Sequence, residues 1–282
     1  MVSYVQAVIL GLLQGFSELF PISSLGHSVL IPALLGWNLD QSSDAFLSFL
    51  VLTHLSTALV LLGFFWRDWV AIVSGVLRSL AERQIRKEDT YARIGWLIIV
   101  STIPAGILGI LFEQRLKDLF SAADIIAGAL ILNGIALYGV EWLRSHAATE
   151  GAYDDRKLAG MSWGKSIVIG VAQCLALIPG FSRTGMTIAG GLVTGLSHDN
   201  AARYSFLLAT PIIFAAAVLK VPDLFANHAA GLAPALVGAV CSGVSAYLSV
   251  RFLLKYFETR TLTPFAIYCV VAGCLAMAVL KL

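Results

Sequence analysis

Six windows of this chain, at about 45–66, 94–112, 124–143, 203–220, 232–254 and 264–281, hold almost only apolar residues. Each is close to the roughly 20 helical residues that a hydrocarbon core of about 30 Å requires. The windows are apolar all round, without alternation, and a bilayer accepts only helices or closed barrels, so membrane-spanning helices are expected. Composition agrees, with 58% hydrophobic and 13% charged residues, against roughly 25% charged in an ordinary soluble domain. The N-terminus lacks a basic n-region and a small-residue cleavage pattern, so its first apolar stretch is expected to stay. Cys174, Cys241, Cys269 and Cys274 lie in apolar surroundings without C-x-x-C spacing or nearby His, which indicates neither a disulfide framework nor a zinc site. Nothing points to a nucleic-acid partner.

Two further apolar stretches, 5–20 and 166–178, are too short to cross, and each runs into a Pro- and Gly-containing polar segment followed by a second short apolar piece. Non-helical backbone at membrane depth is tolerated only where protein covers it or water reaches it. Residues 5–35 and 166–196 therefore read as re-entrant helix-loop-helix hairpins; the plainer alternative is a pair of helices kinked at Pro21 and Pro179. Charge favours the hairpins. They place Arg67, Arg78, Arg83, Arg86, Lys87, Arg93, Arg144, Arg156, Lys157, Lys165, Arg203, Arg251, Lys255 and Arg260 on one side, with only Arg115, Lys117, Lys220 and Lys281 on the other. Both termini then lie outside the cytoplasm. The first hairpin enters from the outer side, the second from the cytoplasmic side, and the two meet inside the membrane.

That is the geometry of inverted repeats, and the sequence carries a weak echo of one. An offset of 159 matches Gln14, Ser23 and Gly26 with Gln173, Ser182 and Gly185, and Ser48-Phe49-Leu50 returns as Ser205-Phe206-Leu207. The expected architecture is an all-α integral membrane protein with six transmembrane helices and two re-entrant hairpins. Residues 1–143 form the first repeat, 144–165 a cytoplasmic linker and 166–282 the second.

The chemistry gathers at the hairpin tips. In QGFSELFPISSLGH, Gln14 and Glu18 share a helix face, Pro21 ends the helix, and Ser23 or Ser24 can cap the next one. His27 lies one turn further on. The opposing tip, PGFSRTGMT, offers Ser182, Arg183, Thr184 and Thr187. An arginine in a membrane segment costs at least about 2.5 kcal/mol on insertion scales, so Arg183 faces a partner or a cavity, and its planar fork suits phosphate or carboxylate. Two readings stay open for it: a structural pair with Glu18, or part of a site. A lone His54 in mid-helix reads as a satisfied buried histidine, and Asn133 and Glu141 read as serving packing and a helix end.

At these residues the chain resembles the bacterial undecaprenyl-pyrophosphate phosphatase family of the bacitracin-resistance type. That family carries (E/Q)-x-x-x-E leading into P-x-S-S-x-G-H, and a second motif PGFSRSG; here they stand as QGFSE, PISSLGH and PGFSRTG. The resemblance implies an enzyme of the bacterial cytoplasmic membrane that removes the terminal phosphate of undecaprenyl pyrophosphate at the outer face. It thereby recycles the lipid carrier of peptidoglycan synthesis. It also implies a divalent cation, Mg2+ or Ca2+, with Glu18 as the expected ligand. The expected catalytic residues are Glu18, Ser24, His27 and Arg183, and the expected substrate-binding residues are Gln14, Ser23, Gly26, Gln173, Ser182, Thr184 and Thr187. Partners are the polyprenyl pyrophosphate and the membrane, with a homodimer left open. Gln14 stands where many members have an acid, and Leu25 where many have Thr. Ser24 activated by His27 is the first choice of nucleophile and a His27 phosphoenzyme the second. The rival reading is a transporter of polyprenyl phosphate, since broken helices meeting at mid-membrane are common there.

Overall fold

The protein is all-helical across the residues described by the computed structural model, namely 2–37, 39–40, 43–86, 88–112, 122–144, 154–226 and 232–281. In chain order the helices are α1 (Tyr4–Leu19), α2 (Ser24–Leu34), α3 (Asp44–Phe64), α4 (Trp66–Glu82), α5 (Thr90–Leu111), α6 (Ala123–Arg144), α7 (Asp155–Ala159), α8 (Trp163–Cys174), α9 (Arg183–Val193), α10 (His198–Ala226), α11 (Leu232–Tyr256) and α12 (Thr263–Leu280). A single 3-10 turn, Leu175–Leu177, follows α8. Polar caps start many of them: Ser3 takes the Gln6 N–H, Ser43 that of Phe46, Asp89 that of Ala92 and Ser162 that of Lys165. Each cap satisfies a donor that the first helical turn leaves free.

Five helices, α3, α5, α6, α11 and α12, are long and apolar enough to cross a membrane. The sixth expected span, 203–220, lies within the 29-residue α10. That helix opens on the polar run His198-Asp199-Asn200 and does not reach the same apolarity over its described residues. The expected positions Lys87, Arg115 and Lys117, and 145–153 of the expected linker, lie outside the described residues. The two short apolar stretches are interrupted as expected, α1 giving way to α2 at Phe20–Ser23 and α8 to α9 at 178–182. The second pair folds back on itself: Gly190 of α9 lies against Ile169 and Ala172 of α8.

The stretch after α3 forms an additional helix, α4, that packs along α5. Gly75 abuts Ala92, and the indole of Trp96 donates to Ser79 Oγ at 2.8 Å. Charged contacts collect at this end of the bundle. Arg203 pairs with Asp68 at 2.7 Å, His198 with Glu141 at 2.6 Å, and Tyr91 donates to Asp155 at 3.1 Å.

Within the bundle, small residues let backbones touch and hydroxyls join the helices, as expected where lipid offers no hydrophobic drive. Gly11 and Gly15 of α1 rest on Gly238 and Ser242 of α11. Ser242 Oγ in turn donates to the Thr53 carbonyl of α3 at 2.9 Å. Ser101, Ser166 and Tyr204 join α5, α8 and α10 through two 2.8 Å hydrogen bonds. A methyl group on Gly15 would run into the Ser242 carbonyl, whereas one on Gly139 meets nothing within 4 Å. Gly15→Ala is therefore expected to destabilise the protein by about 1–3 kcal/mol. Thermal unfolding in detergent beside Gly139→Ala, expected to be neutral, checks this.

Candidate active site

The two helix breaks meet at Asn133, halfway along α6. Its Nδ2 donates to the Pro21 carbonyl at 3.1 Å and its Oδ1 accepts the Ser182 N–H at 3.0 Å, so one buried amide fastens both tips. The tips also bond each other: Ser182 Oγ donates to the Phe20 carbonyl at 3.3 Å and Thr184 Oγ1 to the Glu18 carbonyl at 2.9 Å. Gly180 has φ +106, and a side chain there would meet the Ile126 carbonyl of α6 at 2.5 Å, so only glycine lets the second tip approach so closely. Asn133→Leu strands the buried Ser182 N–H, at about 1–3 kcal/mol, and leaves the Pro21 carbonyl only the weak Cys269 thiol donor. The variant is expected to be markedly less stable in detergent and to lose most of whatever activity the tips support.

Both second helices begin in the same way. Ser23 caps α2 by accepting the Gly26 N–H, and Ser182 caps α9 by accepting that of Gly185. Ser23 does so with φ +70 and ψ +99, a conformation that few non-glycine residues adopt. Its carbonyl is held by Nδ1 of His27 at 2.7 Å.

Glu18 is the centre of the arrangement. Its side chain is 6% exposed. Arg183 of the other tip bonds Oε1; Ser24 Oγ donates to Oε2, as does Gln14 Nε2 at 3.0 Å. Nε2 of His54 stands 3.4 Å from the same Oε2. The structure thus brings together Gln14, Glu18, Ser24 and Arg183. Two polar atoms here have no hydrogen-bond partner among the described residues: Gln14 Oε1 and Nη1 of Arg183. A buried donor on a guanidinium beside a hydroxyl that contacts a carboxylate is equipped for an anionic group.

A family model described as Bacitracin resistance protein BacA matches residues 7–275. The chain belongs to the BacA family. It is 50% identical to a protein of Mycolicibacterium paratuberculosis named undecaprenyl-diphosphatase, over 292 residues that cover 96% of this chain and 95% of the relative. The similarity to an undecaprenyl-diphosphatase of Mycobacterium avium is also 50%, with the same coverage. An undecaprenyl-diphosphatase 2 of Burkholderia ambifaria is 46% identical over 271 residues, 94% of this chain and 93% of the relative.

Some expected residues of this BacA-family chain stand apart from Glu18. His27 contacts neither Ser24 nor Glu18: Nδ1 donates to the Ser23 carbonyl, and Nε2 accepts from the Tyr268 hydroxyl at 2.7 Å. Both nitrogens are therefore engaged, and the group that accepts the Ser24 hydroxyl is the Glu18 carboxylate. Thr187 bonds the Arg183 carbonyl at 2.9 Å and the hydroxyl of Ser205, supporting α9 from behind. Gln173 is buried in α8 with neither amide atom bonded. Sequence reasoning gave His54 and Asn133 only a structural reading and did not single out Tyr268.

The expected divalent cation does not fit these residues as a protein-held ion. Among the described residues no three His, Cys, Asp or Glu side chains cluster. Glu18, the one carboxylate at the tips, already accepts from Gln14, Ser24 and Arg183.

Proposed function

We propose that this chain is an undecaprenyl-diphosphatase whose reaction takes place where the two tips meet. One observation carries the reading: a single carboxylate, Glu18, accepts the Ser24 hydroxyl on one oxygen and the Arg183 guanidinium on the other. This supplies a nucleophile with a base and, from the opposite tip, a cation for phosphate. Ser24 Oγ attacks the terminal phosphorus while its proton passes to Glu18. The bond to the bridging oxygen breaks, and the electron pair leaves with the prenyl phosphate. Arg183 has by then turned from Glu18 to the phosphoryl oxygens, where charge develops, and the N-termini of α2 and α9 face the same place. Water then displaces Ser24 from phosphorus, and the proton on Glu18 returns to Ser24 Oγ. We assign His27 to holding the Ser23 backbone.

The architecture that goes with this reading has six transmembrane helices, α10 being the sixth, and two re-entrant hairpins in inverted repeats, 1–143 and 166–282. It is supported by the matching caps Ser23 and Ser182, by the burial of both Gln14 and Gln173, and by equivalent glycines in close packing, Gly11 on α11 and Gly170 against Ser101 of α5. The basic end of the bundle faces the cytoplasm, so the first hairpin opens to the outer side of a bacterial cytoplasmic membrane and the prenyl chain stays in lipid. Every group invoked comes from one chain, so the chemistry requires no homodimer. The cation, Mg2+ or Ca2+, belongs in this reading to the pyrophosphate, whose oxygens supply most of its ligands.

The test is phosphate release from undecaprenyl pyrophosphate by purified protein in detergent, with and without EDTA. Release that falls with EDTA while thermal unfolding stays unchanged supports both the activity and a substrate-borne cation. Binding of prenyl phosphate without release from folded protein would favour the transporter instead.

A further inference from the structure

His54 belongs to α3, outside both hairpins, yet its Nε2 lies 3.4 Å from Glu18 Oε2. Its ring cannot swing freely, because Nδ1 is anchored on the Leu50 carbonyl at 2.7 Å, one turn back on the same helix. A ring with protons on both nitrogens satisfies the two acceptors together. The charged groups facing it are Glu18 of α1 and Arg183 of α9. From α11, which packs on the same stretch of α3, the recorded contacts are Ser242 Oγ with Thr53 and Thr57 and the Ala239 carbonyl with Ser56, all uncharged.

The reaction itself shows why such a group is needed. At rest the Glu18 carboxylate has partners on both oxygens. When the substrate arrives, Arg183 turns to phosphate and Oε1 loses its partner; when Ser24 attacks, its hydroxyl no longer donates to Oε2. Two holders remain. Gln14 sits one turn before Glu18 on α1 and moves with it. His54 comes from a separate helix and alone ties the carboxylate to the surrounding frame.

We propose that His54 is a positioning residue of this active site, holding the Glu18 carboxylate in line with Ser24 while Arg183 engages the phosphate. This inference rests on the phosphatase reading. Its effect falls on the chemical step and not on substrate capture, since His54 bonds neither tip backbone nor, in this scheme, the phosphate. A base displaced by about 1 Å loses roughly 100-fold in rate.

The test compares kcat and KM for phosphate release in wild type, His54→Leu, His54→Gln and His54→Asn. His54→Leu removes the contact and is expected to lower kcat about 10- to 100-fold with KM within about threefold. Glutamine reaches far enough to donate one N–H to Glu18 and is expected to restore kcat to within about fivefold of wild type. Asparagine is too short and is expected to behave like leucine. The Gln–Asn difference serves if the leucine variant does not fold, because both are polar amides and differ only in reach. A kcat for His54→Leu or His54→Asn within twofold of wild type would overturn the proposal, as would equal losses in His54→Gln and His54→Asn, which mark a packing role. Wild type without phosphate release would instead remove the phosphatase reading itself.

Discussion

Ser24→Ala is expected to abolish phosphate release, lowering kcat by about 10^4-fold or more, because the reaction loses the atom that attacks phosphorus. The fold should survive the change. Ser24 contributes one hydrogen bond, to Glu18 Oε2, and Gln14, His54 and Arg183 remain around that carboxylate. The cap of α2 belongs to Ser23 and is untouched. Thermal unfolding close to wild type, together with lost turnover, is therefore the expected pair of results. Rapid quenching of wild type with substrate labelled on the terminal phosphate should transfer the label to a peptide containing Ser24, and the Ala variant should transfer none. Label on His27, or turnover within tenfold of wild type, would refute Ser24 as nucleophile.

Arg183→Lys is expected to lower kcat/KM by about 100- to 1000-fold while retaining the charge. A guanidinium that turns from Glu18 to the phosphate meets its oxygens with a planar pair of N–H groups, whereas an ammonium is a compact point charge on a flexible stem. The unpartnered Nη1 marks the arm that lysine lacks. Arg183→Ala is a poorer probe, since it leaves Glu18 buried without its cation, at about 3–5 kcal/mol for a broken buried pair. Steady-state kinetics of the Lys variant, alongside thermal unfolding, distinguish loss of phosphate recognition from loss of fold. Kinetics within fivefold of wild type would reduce Arg183 to a structural tie.

The helix breaks were legible in the sequence because their polar residues are contiguous: Gln14, Glu18, Ser23, Ser24 and His27 fall within fourteen residues of an otherwise apolar stretch. The helices were legible for the complementary reason, as long apolar windows leave a membrane chain little choice. What stayed hidden was pairing at a distance. His54 and Asn133 are single polar residues in apolar helices, and no local motif says that one faces Glu18 and the other fastens Pro21 to Ser182. The available signal was the one already applied to Arg183: an ionisable or amide side chain in mid-membrane needs a partner. His27 illustrates the converse. Proximity in sequence suggested that it serves Ser24, but one turn of helix carries its ring towards Ser23 O and Tyr268. The helix α4 escaped notice because Arg67, Asp68, Arg78 and Glu82 break its apolar residues into a run too short to read as a span.

The matching caps carry a consequence for ancestry. Ser23 and Ser182 occupy the same station at the two tips, so the residues that follow them, Ser24 and Arg183, are counterparts, 159 positions apart. Two identical chains assembled about a twofold axis would present a pair of serines there, or a pair of arginines, because any substitution would appear twice. Under the proposed inverted-repeat reading, joining the halves into one chain releases that constraint. One copy of the station could become the attacking hydroxyl and the other the cation that receives the charge, and the reaction needs the two to differ.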